Sequence, residues 1–285
     1  MSELWTWDPT LFDGAATYYE RGRLPYAPRL AETMAEALAL DGTGRLLDVG
    51  CGPGTIALRL AHLFDEVVGL DADPDMLMEG QRLAQQHNVA NVHWVEMRAE
   101  ALPADLGRFR VVTFAASLHW MDRPRVFATV RTMLDPGGAV VHVDNPGYRQ
   151  DVLASEGQRY PAPPEAKIGD LRKSYLGPDR RAGQGIRNSS PDDEDDVFRA
   201  TGFIGPERVV VPDERVLVRS VDDIVAEKFS SSGTAPHLFG ERMPAFEADL
   251  RVLLLNASPK GLFSVRLSDS ELKVWRSVTT RTAEP

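Results

Sequence analysis

At 285 residues and 43% apolar content, the chain is long enough for one large domain with a real core. Its formal net charge of −10 excludes the clustered basic surface that binds a phosphate backbone, so no nucleic-acid partner is expected. A single cysteine excludes an internal disulfide and fits a reducing compartment.

The residues Met1–Trp5 carry neither a basic nor an apolar leader pattern, so no signal peptide is expected. No apolar run approaches the ~20 residues of a membrane span. A cytoplasmic protein without membrane contact is the expectation. The first forty residues read as a helical lead-in, with Leu30, Met34 and Leu38 at helical spacing after Pro28. Strands and helices then alternate. Arg45–Val49 is a strand, Thr55–Phe64 a helix, and Glu66–Asp71 the second strand. Asp73-Pro74 supplies an N-cap and first helical position for a helix to about His87. Val92–Met97 and Phe109–Ala115 are the third and fourth strands. Asp122 caps a helix carrying Val126, Val130 and Met133. The turn Asp135-Pro136-Gly137-Gly138 leads into a fifth strand, Ala139–Val143. Residues 146–196 are rich in Pro, Gly and charge, and the acidic run Asp192–Asp196 reads as a solvated loop or helix start, not a calcium loop. Beyond it, Val209–Val218 reads as one strand, Ser220 with Asp223 as a capping box for a helix through Phe229, and Pro244–Leu255 as a helix. Leu262–Leu267 and Glu271–Trp275 read as a closing hairpin. This alternation predicts an α/β fold with a doubly wound, mostly parallel sheet covered on both faces.

The first strand ends in Leu47-Asp48-Val49-Gly50-Cys51-Gly52-Pro53-Gly54, and an acid, Asp71, closes the next strand about 20 residues on. Glycines let the main chain approach a ligand without a Cβ clash. A dinucleotide loop spaces its glycines to present a helix N-terminus to a pyrophosphate. Asp48, beside that bend, would repel a pyrophosphate and suit a cationic nucleoside.

The pattern Asp48-x-Gly50-x-Gly52-x-Gly54 resembles motif I of the class I S-adenosylmethionine-dependent methyltransferases. Val67-Val68-Gly69-Leu70-Asp71 resembles the family's second-strand motif, and Met97–Pro103 its adenine-side loop. Leu134-Asp135-Pro136-Gly137-Gly138 resembles the turn before its fifth strand. Ser117-Leu118-His119-Trp120, with Tyr18-Tyr19 and Arg23-Leu24-Pro25-Tyr26, is similar to the small-molecule subgroup of the trans-aconitate and ubiquinone-pathway enzymes. The ordered match covers residues 15–145. One departure is Arg110, where related sequences carry Asp; its charge either faces solvent or is absorbed by a nearby acid.

The resemblance implies a seven-stranded sheet, an N-terminal helical lid over residues 1–40, a cofactor-binding core over 41–145, an insertion over 146–205, and a segment 206–285 that completes the sheet and the acceptor pocket. It implies S-adenosylmethionine as cofactor. Asp48, Gly50, Cys51, Gly52, Gly54, Asp71, Ala72, Arg98, Ala99, Glu100 and Ala116 are expected around it, with Tyr18 and Arg23 closing over it. Asp71 would accept both ribose hydroxyls. Cys51 also reads as a small packed residue, and Tyr18, Tyr19 and Arg23 as anchors of the first helix. Tyr19, Tyr26, Trp120 and His237 are expected at the acceptor. His119, just past the fourth strand, is the candidate general base, its alternative being packing over the cofactor. His62, His87, His93 and His142 lack paired ligand spacing, so no metal site is expected. Asn145-Pro146-Gly147-Tyr148 reads as a turn. The expected function is methyl transfer to a small-molecule acceptor by in-line displacement, with a homo-oligomer possible. The competing reading is a protein of the same fold that binds the cofactor without transferring methyl.

Overall fold

A computed structural model describes residues 8–144, 159–186 and 193–277. The Asn145–Tyr148 motif, Trp5 and Trp7 lie outside the described residues. In chain order the main elements are α1 (Ala16–Gly22), α2 (Leu30–Leu38), β1 (Arg45–Val49), α3 (Ala57–Leu60), β2 (Glu66–Asp71), α4 (Pro74–Gln86), β3 (Val92–Glu96), β4 (Phe109–Ala115), α5 (Arg123–Met133) and β5 (Leu134–Val143). There follow α6 (Glu165–Leu176), β6 (Arg181–Ala182), β7 (Gly185–Ile186), α7 (Glu194–Ala200), β8 (Phe203–Val211), β9 (Val216–Ser220), α8 (Val221–Phe229), α9 (Met243–Ala257), β10 (Leu262–Arg266) and β11 (Ser270–Ser277).

The central sheet has seven strands in the order β3-β2-β1-β4-β5-β11-β8. Its first five pair in parallel, and β11 runs antiparallel between β5 and β8. The expected fold class is therefore the observed one. Strands β1, β2, β4 and β5 are apolar on both faces because helices cover both. Leu46, Val67, Val111 and Val141 pack with α2 and α3 on one face. Leu47, Val68, Val112 and Val140 pack with α5 and Phe198 of α7 on the other. Among the described residues no helix is long and apolar enough to cross a membrane.

Several elements depart from expectation. The helix over Thr55–Phe64 is a single α turn, α3, followed by a 3-10 turn at Ala61–Leu63. Asn91 Nδ2 donates to the carbonyls of Ala61 and Phe64, at 2.9 and 3.0 Å, and holds the chain in that tighter path. The turn at Asp135–Gly138 is taken up in the start of β5 as a register shift against β4. The segment Val209–Val218 is two strands, since Pro212 has no N–H to continue the ladder. Asp213 then turns the chain, accepting from the Arg215 guanidinium at 2.6 Å. The closing hairpin does not form. Leu262–Arg266 pairs with β9 in a separate sheet, while β11 inserts into the main one. The described residues 159–186 hold more order than their composition suggests, because α6 buries Ile168 and Leu176 against α8 and α9. The acidic run does become a helix start, with Glu194, Asp195 and Asp196 in the first turn of α7.

Arg110 is not loose. Its guanidinium donates to the carbonyls of Ala39 (2.7 Å) and Thr43 (3.1 Å) and pairs with Asp41. It thereby caps the end of α2, where Ala39 sits in the left-handed region at φ 49. Arg110 in turn holds the Asp41 carboxyl down to about 2. Arg110→Ala is expected to lower unfolding stability by about 1–2 kcal/mol, since two carbonyl acceptors lose a charged donor. Urea denaturation of the two proteins checks this.

Candidate cofactor and acceptor site

Parallel pairing brings the carboxyl ends of β1, β2 and β4 together, where an open α/β sheet binds its ligands. The chain leaves β1 through the glycine bend. The amides of Gly50 and Cys51 both donate to the Leu70 carbonyl, at 2.8 and 3.0 Å, which lashes the bend to β2. Gly50 has φ +69, and a Cβ there would lie 2.6 Å from the Ser117 Cβ. Gly52 has φ +53 and faces open space, with the Tyr19 hydroxyl 3.8 Å from where a Cβ would stand. Gly54 has a different task. A Cβ on it would meet the Trp94 ring at 2.4 Å, and Gly80 backs onto the same ring. Gly54, expected at the cofactor, lines neither main cavity and makes room for an indole.

The two acids hold the bend from below and from the side. Asp48 is 1% exposed; its Oδ1 accepts from the Thr113 hydroxyl at 2.8 Å and its Oδ2 from the Ala57 amide at 3.1 Å. Asp71 Oδ2 accepts from the Gly52 amide at 2.7 Å and Oδ1 from the Asp73 amide at 3.0 Å. Burial pushes the Asp48 carboxyl up to about 7 and the Asp71 carboxyl up to about 6.

Two cavities meet above this bend, both walled by Phe12, Tyr19, Gly50, Ala115, Ala116 and Trp120. Ala116 holds φ 53, a conformation unusual for a residue with a Cβ. The narrower cavity adds Asp71, Ala72, Arg98, Ala99 and Glu100, all expected there, together with Met76, Met97 and Met121. Glu100 is already engaged: its Oε1 accepts from the Asp122 amide at 2.9 Å and its Oε2 lies 3.2 Å from Arg98. The wider cavity, of ≈ 550 Å³, adds Asp48, Cys51, Arg23, Tyr26 and His119. Cys51 is buried in the cavity wall, and burial pushes its thiol up. Arg23 lies over the Tyr19 ring, 4.6 Å from its centroid, and donates to the Ser230 carbonyl at 2.6 Å. The His119 ring stands 4.6 Å from that of Trp120.

Two further expected residues lie elsewhere. Tyr18 lines neither cavity; its ring packs 5.1 Å from Phe229, because adjacent residues on α1 point to different sides and Tyr19 takes the cavity side. His237 lines a separate cavity beside Tyr175 and Arg242, and its Nδ1 lies 3.2 Å from the Asp13 carbonyl. Sequence reasoning also missed residues. Phe12, Met76 and Met121 carry no motif. His142, Asp144, Glu194 and Lys273 all line the wider cavity, and their spacing along the chain gives no hint that they meet. Among the described residues no group of three or more His, Cys, Asp or Glu is placed to hold a metal ion.

Residues 46–138 match the family model of a methyltransferase domain. An uncharacterised methyltransferase of Mycobacterium tuberculosis is 35% identical over 127 residues, which is 45% of this chain and 49% of that relative. A ubiquinone biosynthesis O-methyltransferase of Acinetobacter baumannii is 34% identical over 98 residues, 34% of this chain and 41% of the relative. The chain thus spans about half the length of the curated relatives it matches. In fold it is similar to a solved putative type II methyltransferase of Anaeromyxobacter dehalogenans, with a TM-score of 0.55 and 18% identity over 88% of this chain and 97% of the other. It is likewise similar to an S-adenosylmethionine-dependent methyltransferase of Geobacter sulfurreducens solved with S-adenosyl-L-homocysteine, with a TM-score of 0.51 and 15% identity over 95% and 98% of the chains.

Proposed function

The chain carries the core domain of the class I S-adenosylmethionine-dependent methyltransferases, and from that premise we propose that it moves a methyl group from S-adenosylmethionine to a small-molecule acceptor. The observation that carries the reading is the pairing of a side-chain-free bend with Asp71, whose carboxylate already grips the Gly52 amide beside an open cavity. A carboxylate oxygen with one amide bond keeps acceptor capacity for a ribose hydroxyl. Ala72, Ala99, Met76 and Met97 give the same cavity flat apolar walls, as an adenine ring needs. Arg23, at the rim of the wider cavity, suits the carboxylate of the cofactor's amino-acid end.

When bound, S-adenosylmethionine supplies a methyl carbon activated by its sulfonium, open to in-line displacement by the acceptor's lone pair. The chain's own task is alignment and exclusion of water, and good alignment supplies ~7–11 kcal/mol of such a barrier. Phe12, Tyr19 and Trp120 wall both cavities at their junction, so they shield the place where acceptor and methyl meet. Tyr26 in the wider cavity adds an aromatic wall for the acceptor. His119, past β4, also lines the wider cavity, and with its ring 4.6 Å from that of Trp120 it serves there as part of the wall and not as the base.

The test has two parts. Calorimetric titration should show S-adenosylhomocysteine binding at one site. Incubation with methyl-labelled S-adenosylmethionine and a metabolite extract should then place label in a small product. Tight binding with no labelled product would favour a cofactor-binding protein that does not transfer methyl.

A pH dependence follows from the two buried acids. Ionised Asp48 and Asp71 favour a cationic ligand, and both are raised above the ordinary 3.8, to about 7 and about 6. Affinity for S-adenosylmethionine should rise between pH 5.5 and 7.5, roughly across those two values, with protons released on binding. Calorimetry in two buffers of different ionisation enthalpy reads this directly. An affinity flat across that range contradicts it. For the ligand-free fold the sign is opposite. The folded chain holds these two protons more tightly than the unfolded one, so their contribution to stability is lost as pH rises from about 4 to about 7.

A further inference from the structure

The wider cavity contains a polar cluster that the cofactor reading leaves unused. His142 sits on β5, in register with Phe114 of β4 and Lys273 of β11. It is 7% exposed. Its Nδ1 lies 3.4 Å from Glu194 Oε2, and its Nε2 lies 3.7 Å from Asp144 Oδ1. Lys273 Nζ is 3.6 Å from the same Asp144 oxygen. All four side chains line the cavity. The Nδ1 atom is sealed from solvent and has no hydrogen bond of good geometry. The accessible part of the ring is therefore its other edge.

The mount is rigid. Glu194 opens α7, and Phe198 of that helix stacks on Phe127 at 3.7 Å and on Trp275 at 4.7 Å. Arg208 of β8 ties α7 down through Asp195 at 2.6 Å. The charged neighbours of the imidazole are Lys273, Arg208, Asp195 and Glu271, beside Asp144 and Glu194. Burial and the two cations outweigh the acids and push His142 down to about 4, so the ring is neutral near pH 7. A neutral imidazole backed by a carboxylate keeps its proton on the side of that carboxylate and offers a lone pair at the other nitrogen. Glu194 is the nearer carboxylate, 3.4 Å from Nδ1, while Asp144, 3.7 Å from Nε2, is shared with the Lys273 ammonium, so Nδ1 carries the proton and Nε2 is left as the acceptor.

The wall around His142 is thus rich in acceptors: one imidazole lone pair and two carboxylates, against one ammonium already beside Asp144. A group that donates a hydrogen satisfies it. A carboxylate placed there meets like charge. We propose that His142 receives the nucleophile of the methyl acceptor, that this nucleophile bears a hydrogen as a hydroxyl or neutral amine, and that Glu194 is the positioning residue that fixes the imidazole tautomer. The inference rests on the methyl-transfer reading. As the acceptor oxygen or nitrogen forms its bond to the methyl carbon, the carbon–sulfur bond breaks with its electron pair left on sulfur. The displaced X–H proton passes to His142 Nε2 and on to solvent.

The chemistry of the labelled product tests the inference. The full chain is incubated with methyl-labelled S-adenosylmethionine and a metabolite extract, and the labelled product is treated with alkali. A methyl ether or N-methyl product keeps its label, as expected here; release of labelled methanol marks an ester and overturns the proposal. His142→Gln should lower the rate of label transfer by about 100-fold or more, with S-adenosylhomocysteine affinity unchanged by calorimetry. An unchanged rate overturns the proposal. Nitrogen-15 NMR should show His142 protonated at Nδ1 in the native chain and a redistributed proton in Glu194→Gln; the same tautomer in both removes Glu194 from its role. If the native chain binds S-adenosylhomocysteine yet labels nothing, the methyl-transfer reading itself fails, and this inference falls with it.

Discussion

Asp71→Ala should weaken S-adenosylhomocysteine binding by about 100-fold, close to 3 kcal/mol, without unfolding the chain. Two losses combine. The ribose hydroxyls lose a charge-assisted acceptor, worth about 1.5–3 kcal/mol. The amides of Gly52 and Asp73 also lose the oxygens they bond at 2.7 and 3.0 Å. An orphaned amide in a buried bend costs a further 1–3 kcal/mol, roughly, unless water reaches it. Part of that second loss is felt by the free protein as well, which is why the binding deficit is smaller than the sum. Asp71→Asn should be nearly as damaging. One end of its carboxamide is a donor, so it cannot accept from both amides. Titration calorimetry measures the affinity, and circular dichroism confirms that the fold is kept. An affinity within about threefold of the native chain contradicts the assignment of the ribose to Asp71.

Gly50→Ala should be more severe for the site and for the fold. The residue holds φ +69, and the new Cβ would lie 2.6 Å from Ser117 Cβ and 3.0 Å from Met121 Cε. The Met121 methyl, at the far end of a flexible side chain, can swing aside, but Ser117 Cβ sits next to the backbone and cannot yield cheaply. Ser117 donates to the Val49 carbonyl at 2.7 Å, and Met121 lines the narrower cavity. The bend must therefore open, and with it the two amide bonds to Leu70. The expected result is no measurable cofactor binding and a loss of stability of about 2–4 kcal/mol, from strain of about 1–2 kcal/mol added to overpacking. Gly137→Ala is the control. It also has positive φ, at +81, but nothing lies within 4 Å of its added Cβ. It should cost only about 1 kcal/mol and leave binding intact. Equal effects of the two substitutions would mean that backbone strain alone, and not the approach to Ser117, sets the requirement for glycine at residue 50.

What the sequence made legible was local. The glycine bend, Asp71 at the end of the following strand, and the Asp73 cap all lie within one β–α–β unit, so spacing alone predicts their meeting. Asp73 does accept from the amides of Asp75 and Met76, as a capping residue should. Pairing between distant strands was not legible. Leu262–Arg266 and Ser270–Ser277 lie close along the chain, and nothing in their alternation says that they join different sheets. The helix α6 hides its buried Ile168 and Leu176 among charged residues after a proline-rich stretch. The surroundings of His142 were equally illegible. This histidine lies in the apolar run Ala139–Val143, where periodicity marks it as one more strand residue, and its partners come from residues 144, 194 and 273. Tyr18 and Tyr19 show the converse: a motif pair whose members face different ways, one into the helical packing and one into both cavities.

The most direct measurement is a crystal structure of the full chain soaked with S-adenosylhomocysteine. The nucleoside should lie over Gly50–Gly52, with its ribose diol on Asp71, its base between Ala72 and Ala99, and its amino-acid end toward Arg23. Density for the ligand anywhere else, with this bend left bare, would contradict the assignment of the cofactor site and the function built on it.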